Sequence, residues 1–259
     1  MTNATLAVLL GSLAVAASAD VSLSSSDGVA LHGVHSGPEG AEGGVVLVHM
    51  AGRSADDWRF VAEKLGRGGM STLSIDLRGH GTSARVGETL SEADYAAMET
   101  DVQAAIAWLR ASGSKSVSCA GASLGANLCL RVAAQDPGVV NLVLLSPALK
   151  KHGLTTAAAM EGYGDRPVLL VASSEERYDG ISAEKLEMRA KGQKHLELLA
   201  DAGHGTKMLN RDPALEGLML SWLMGTYELA GGEVVSPRPA TGDGIKAIET
   251  QGKSLDDLQ

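Results

Sequence analysis

No CxxC, no HExxH and no run of histidines at metal-ligand spacing occurs in this sequence, which leaves a zinc-type centre without ligands. No organic cofactor is implied either. Cysteine is scarce: only Cys119 and Cys129 are present, both in apolar stretches, and they read as buried free thiols. Aromatic side chains make up 3% of the chain, with a single Phe, so the core must come from Leu, Val and Ala. A basic surface is missing as well. With 22 Lys and Arg against 31 Asp and Glu, the net charge of −9 argues against nucleic acid or an anionic membrane as partner. There is no internal repeat and no sign of a second large domain. The 259 residues suit one α/β domain with an ample core.

The N-terminus carries an apolar run, Leu6 to Ala16, of signal-peptide length. Ala17-Ser18-Ala19 before Asp20 fits a small-x-small cleavage site. The run is too short for a permanent membrane anchor, and no Cys follows it to accept a lipid. Residues 1–19 contain no Lys or Arg, so a buried N-terminal helix or a misassigned start is the alternative to export. The expected organisation is a leader over 1–19, one domain over 20–229 and a polar tail over 230–259 without an apolar face. With the leader the protein is exported to the periplasm or secreted; without it, it is cytoplasmic.

Between these ends strands and helices alternate. Asp20–Ser26 and Val29–His35 read as strands joined at Asp27-Gly28. Val45–Val48 is a continuous apolar run suited to a strand covered on both faces, and Ser54–Leu65 is helical. Further strands are expected over 71–76, 116–120, 139–145, 168–172 and 195–199, with helices over 92–111, 124–135, 183–191 and 213–229. This alternation predicts an α/β fold with a mostly parallel twisted sheet covered on both faces.

Gly121-Ala122-Ser123-Leu124-Gly125 stands between the strand ending at Ala120 and the helix starting at Leu124. A serine on so sharp a strand-to-helix turn is held in strained geometry, with glycine needed two residues to either side. The helix behind it aims free N–H groups at the place where an oxyanion would form.

The order of parts across residues 20–229 resembles the α/β-hydrolase fold. Val46-Leu47-Val48-His49-Met50-Ala51-Gly52 is similar to its strand and oxyanion loop. Ile75-Asp76-Leu77-Arg78-Gly79-His80-Gly81-Thr82-Ser83 is similar to its D-x-R-G-x-G-x-S segment, and Ala202-Gly203-His204-Gly205 to the loop of the catalytic histidine. Met50 departs from the glycine that often follows the loop histidine, and a positive φ there would strain it. In size and in lacking a sizeable cap the chain resembles dienelactone hydrolases, which use Cys where this chain has Ser123.

The resemblance implies Ser123 as nucleophile and His204 as base, in the chain order Ser…Asp/Glu…His. Among the other histidines, His195 reads as structural and His49 and His80 as shaping loops. The acid should lie just past the strand over 168–172. Glu176 aligns best, Glu175 competes with it, and Asp179 or Asp165 are further alternatives. Backbone N–H groups of Leu124 and of Ala51 or Met50 would hold the oxyanion. Only Ala148–Arg166 separates two core strands, too short for a cap. A shallow, open site walled by Met50, Ala51, Leu124, Pro147 and Leu149 follows.

The leading expectation is a serine hydrolase (carboxylesterase-like) cleaving small or accessible carboxylic esters through an acyl-enzyme. An aminopeptidase or amidase on the same triad is the second reading, and a non-catalytic hydrolase-fold binding protein the third. The partner is a small-molecule ester, and the oligomeric state is not legible.

Overall fold

The computed structural model describes residues 18–85, 87 and 89–237. In chain order the strands and helices are β1 (Ala19–Ser24), β2 (Ala30–Ser36), β3 (Gly43–Val48), α1 (Arg59–Arg67), β4 (Ser71–Ile75), α2 (Glu92–Ala111), β5 (Ser116–Ala122), α3 (Leu124–Gln135) and β6 (Val139–Leu145). There follow β7 (Lys150–Lys151), β8 (Leu154–Thr155), α4 (Ala157–Tyr163), β9 (Val168–Ser173), α5 (Arg177–Glu187), β10 (Lys194–Leu199), α6 (Met208–Arg211) and α7 (Pro213–Leu223). Eight strands form one sheet in the order β1-β2-β4-β3-β5-β6-β9-β10. The β1–β2 and β2–β4 pairs are antiparallel, and the pairs from β4 to β10 are parallel.

Apolar residues alternate between the two faces of this sheet. Val46 and Val48 of β3 join a core with Val102 and Ile106 of α2, Leu128 of α3, Met160 of α4 and Leu186 of α5. Val45 and Leu47 face the other way, toward Val61 and Leu65 of α1, Met208 of α6 and Met219 and Trp222 of α7. Continuous apolar strands are needed because both faces are covered. Asn141 and Trp222 tie α7 to β6: the indole N–H donates to Asn141 Oδ1 at 2.8 Å, and Asn141 Nδ2 donates to the Trp222 carbonyl at 2.9 Å. Arg166, 2% exposed, is a buried cation facing backbone oxygens, donating to the carbonyls of Ala133, Asp136, Val139 and Tyr163.

Several boundaries differ from those expected. Helix α5 starts at Arg177, six residues before the expected Ala183. Helix α7 stops at Leu223, because Gly225 at φ +68° turns the chain away. Cys119 and Cys129 are not free thiols but form a disulfide. Strand β5 and helix α3 run back along each other from the turn at Ser123, so the two Cα atoms stand 5.7 Å apart in one core. Residues 1–17 of the expected leader lie outside the described residues, and Ala19 is already in β1, opposite His35. Of the expected tail, 238–259 lies outside them too. The part before it is docked: Val235 is 1% exposed and its N–H donates to Tyr227. Among the described residues no helix is long and apolar enough to cross a membrane, and no cap domain follows β6.

Candidate active site

Parallel strands deliver the residues that follow them to one edge of the sheet, and open α/β sheets bind ligands there. Met50 and Ala51 follow β3, Ser123 follows β5, Lys151 comes after β6, Asp179 after β9 and His204 after β10.

Ser123 has φ 51° and ψ −108°, a conformation that costs a non-glycine residue about 1–3 kcal/mol. The flanking glycines show why no other residue serves. A Cβ at Gly121 would lie 2.3 Å from the Gly125 backbone, and one at Gly125 would lie 2.2 Å from the Val48 carbonyl oxygen. The turn is therefore packed backbone against backbone, beside the loop after β3.

That loop is held by His49, which is fully buried. Its Nδ1–H donates to the Met50 carbonyl at 2.8 Å, and its Nε2 accepts from the Leu77 N–H at 3.0 Å. Accepting at Nε2 needs the neutral ring, and burial lowers its pKa to about 4. Arg53 N–H also donates to the Met50 carbonyl, which turns the loop. The positive φ falls on Gly52 (+73°), and Met50 is not among the residues with φ above zero, so its side chain is tolerated. Met50, Ala51 and Leu124 have no protein acceptor for their N–H groups among the described residues.

His204 is fixed by bonds on both sides of it. Ala202 N–H donates to Ser173 Oγ at 2.9 Å, Gly203 N–H to Glu175 Oε1 at 2.5 Å and Gly205 N–H to Ser146 Oγ at 2.9 Å. Thr206 Oγ1 donates to Asp57 Oδ2 at 2.7 Å. A Cβ at Gly205 would meet the Met50 sulfur at 2.7 Å, which seats this loop beside the elbow. His204 Nδ1 lies 2.7 Å from Asp179 Oδ2, with the oxygen off the line of a good hydrogen bond.

The carboxylate on His204 is thus Asp179, not the expected Glu176. Helix α5 begins early enough to put Asp179 in its first turn, buried at 5% exposure, while Glu176 at its N-cap is exposed. Potential ligand atoms of Glu176, Asp179 and His204 lie within 4.8 Å of one another, a grouping that the imidazole–carboxylate pair itself explains. Glu175 holds the backbone of the His204 loop and bonds Ser173 Oγ, which keeps its carboxyl below the usual range.

Ser123 itself is only 2% exposed. The hairpin β7–β8 lies in the connection after β6, and Lys151 Nζ donates to Ser123 Oγ at 3.0 Å. Sequence reasoning missed this residue. Two aromatic clasps hold the hairpin. The Tyr178 hydroxyl accepts from Lys150 N–H and donates to the Lys150 carbonyl, both at 3.1 Å, and His152 stacks on Tyr95 with ring centroids 4.2 Å apart.

Solved structures share this architecture. An esterase from Pyrococcus furiosus is 20% identical, with a TM-score of 0.67 over 80% of this chain and 92% of that one. A dienelactone hydrolase from Anabaena variabilis is 24% identical, with a TM-score of 0.66 over 80% and 97%. An esterase from Exiguobacterium antarcticum is 15% identical, with a TM-score of 0.62 over 78% and 98%. No curated protein matches the sequence. Residues 39–196, which include β3, the elbow, α5 and Asp179, match the family described as serine aminopeptidase, S33. The chain belongs to that family, and with it to the α/β-hydrolase superfamily.

Proposed function

We propose that the protein is a serine hydrolase that cleaves small carboxylic esters through an acyl-enzyme. The observation that carries this reading is Ser123 at φ 51° on the turn between β5 and α3. In this scheme Ser123 Oγ attacks the ester carbonyl and His204 takes its proton. Asp179 orients the imidazole and balances the charge it gains. The oxyanion is met by Leu124 N–H and by Ala51 or Met50 N–H. The imidazolium returns its proton to the leaving alcohol, and water then hydrolyses the acyl-enzyme by the reverse sequence of proton transfers. A fluorophosphonate probe tests the nucleophile: labelling is expected in the native protein and lost in Ser123→Ala. Labelling that persists in that variant would refute the assignment.

The family description favours an aminopeptidase as a second reading. Lys151 opposes it, because an ammonium 3.0 Å from the nucleophile repels a substrate carrying a free amino terminus. Parallel assays with 4-nitrophenyl esters and aminoacyl 4-nitroanilides separate the two readings.

A further inference from the structure

Lys151 places a cation on the nucleophile itself. Its ammonium donates to Ser123 Oγ at 3.0 Å, so it occupies one of the places around the hydroxyl and meets any substrate that approaches it. Among the described residues no carboxylate pairs with it, and Glu92 lies instead against Gly153 in the hairpin turn. Several groups around it are basic or donating. His152 has its pKa lowered by burial and then by the charges of Lys151 and His80, which puts the three side chains in one region. Helix α3 adds its N-terminal N–H groups, and the loop after β3 adds those of Met50 and Ala51. A half-buried ammonium without a counter-ion, in a chain of net charge −9, is poised for an anion that comes with the substrate.

We infer that Lys151 is a specificity-determining residue, and that the preferred substrates are esters whose acyl part carries its own carboxylate, that is, monoesters of short dicarboxylic acids. The inference rests on the serine-hydrolase reading of the same site. A neutral acyl group would have to displace the ammonium from Ser123 Oγ without replacing its hydrogen bond. A carboxylate gives the ammonium a charged acceptor and draws it aside. Nζ and Oγ are 3.0 Å apart, so a carboxylate about two or three methylenes from the ester carbonyl reaches Nζ while that carbonyl meets Oγ. Lysine suits this role because its stem swings about four rotatable bonds while the charge is kept. The backbone that carries it stays fixed, clasped at Lys150 and His152.

The test compares mono-4-nitrophenyl glutarate with 4-nitrophenyl pentanoate, a neutral ester of the same acyl length. The readout is the ratio of their kcat/KM values in the native protein, Lys151→Met and Lys151→Arg. Intrinsic differences in reactivity cancel when this ratio is compared between proteins. Lys151→Met is expected to lower the ratio about tenfold or more, the worth of one charge-assisted hydrogen bond, and Lys151→Arg to restore part of it. A ratio unchanged in Lys151→Met overturns the inference. If the native protein hydrolyses no ester, the hydrolase reading fails and calorimetry decides this one separately. Glutarate binding to Ser123→Ala that is lost in Ser123→Ala/Lys151→Met sustains it, and binding that is absent or independent of Lys151 overturns it.

Discussion

Asp179 Oδ2 stands 2.7 Å from His204 Nδ1, although the two residues follow different strands, β9 and β10. Those strands are neighbours in the sheet and run parallel in register from Val168↔Lys194 to Ser173↔Leu199. Their ends therefore lie side by side, and the first turn of α5 and the loop after β10 meet there. The pair is a product of sheet register rather than of nearness in sequence.

If Asp179 orients the base, Asp179→Asn should lower kcat by roughly 10³-fold or more, because the imidazole loses both its orientation and its charge partner. Glu176→Gln should cost less than about tenfold, since the exposed carboxylate lies near His204 without bonding it. Steady-state kinetics with a 4-nitrophenyl ester checks both. The reverse order of effects would return the role to Glu176.

Glu175 acts on the loop and not on the imidazole. Its carboxylate accepts from Gly203 N–H and Ser173 Oγ, and Ser173 Oγ accepts from Ala202 N–H. Glu175→Ala should lower kcat by about tenfold with KM little changed, because misplacing His204 penalises the transition state more than binding. Equal kcat in the variant would show that the loop holds its shape without this bond.

What could be read in the sequence was what has a local signature. The elbow was legible because Gly121 is demanded by backbone within the turn and Gly125 by the backbone of the neighbouring β3, at fixed positions around one serine. The position of His204 was legible in the same way, since its glycine-flanked loop does follow the last strand. Asp179 was obscured by the Gly180 that follows it, which suggests a break where the helix α5 in fact runs through. Lys151 was invisible because strands of two residues carry no periodic pattern. The disulfide was missed because its halves lie on a strand and a helix, whose packing against each other sets the 5.7 Å separation.

Acid should weaken the fold through His49. Its pKa is about 4 in the folded protein, against about 6.5 for an unfolded histidine. The contribution is fully present above pH 6.5 and is lost as pH falls toward 4, where the unfolded chain takes up a proton that the folded one refuses. The loss approaches about 3 kcal/mol. Urea unfolding at pH 7 and pH 4.5 should show a smaller difference in His49→Asn than in the native protein. An undiminished difference would assign the effect to other groups.

The Cys119–Cys129 bridge closes a short loop around the elbow. In the chain-entropy account such a loop stabilises by about 3 kcal/mol. Denatured protein without reductant should show no reactive thiol, and Cys119→Ala/Cys129→Ala should unfold at a correspondingly lower urea concentration. Two titratable thiols in the unreduced protein would contradict the bridge.

Arg166 gathers carbonyls that lie far apart along the chain, from Ala133 and Asp136 at the end of α3, Val139 at the start of β6 and Tyr163 at the end of α4. A guanidinium that is 2% exposed cannot release one of these oxygens to water while keeping the others in place. The end of α3, the start of β6 and the end of α4 therefore open together or not at all. Their amide hydrogens should exchange with a single opening free energy, as one cooperative unit. Helix α3 begins at Leu124, directly after Ser123, so the far end of that unit anchors the helix on which the strained serine turn rests.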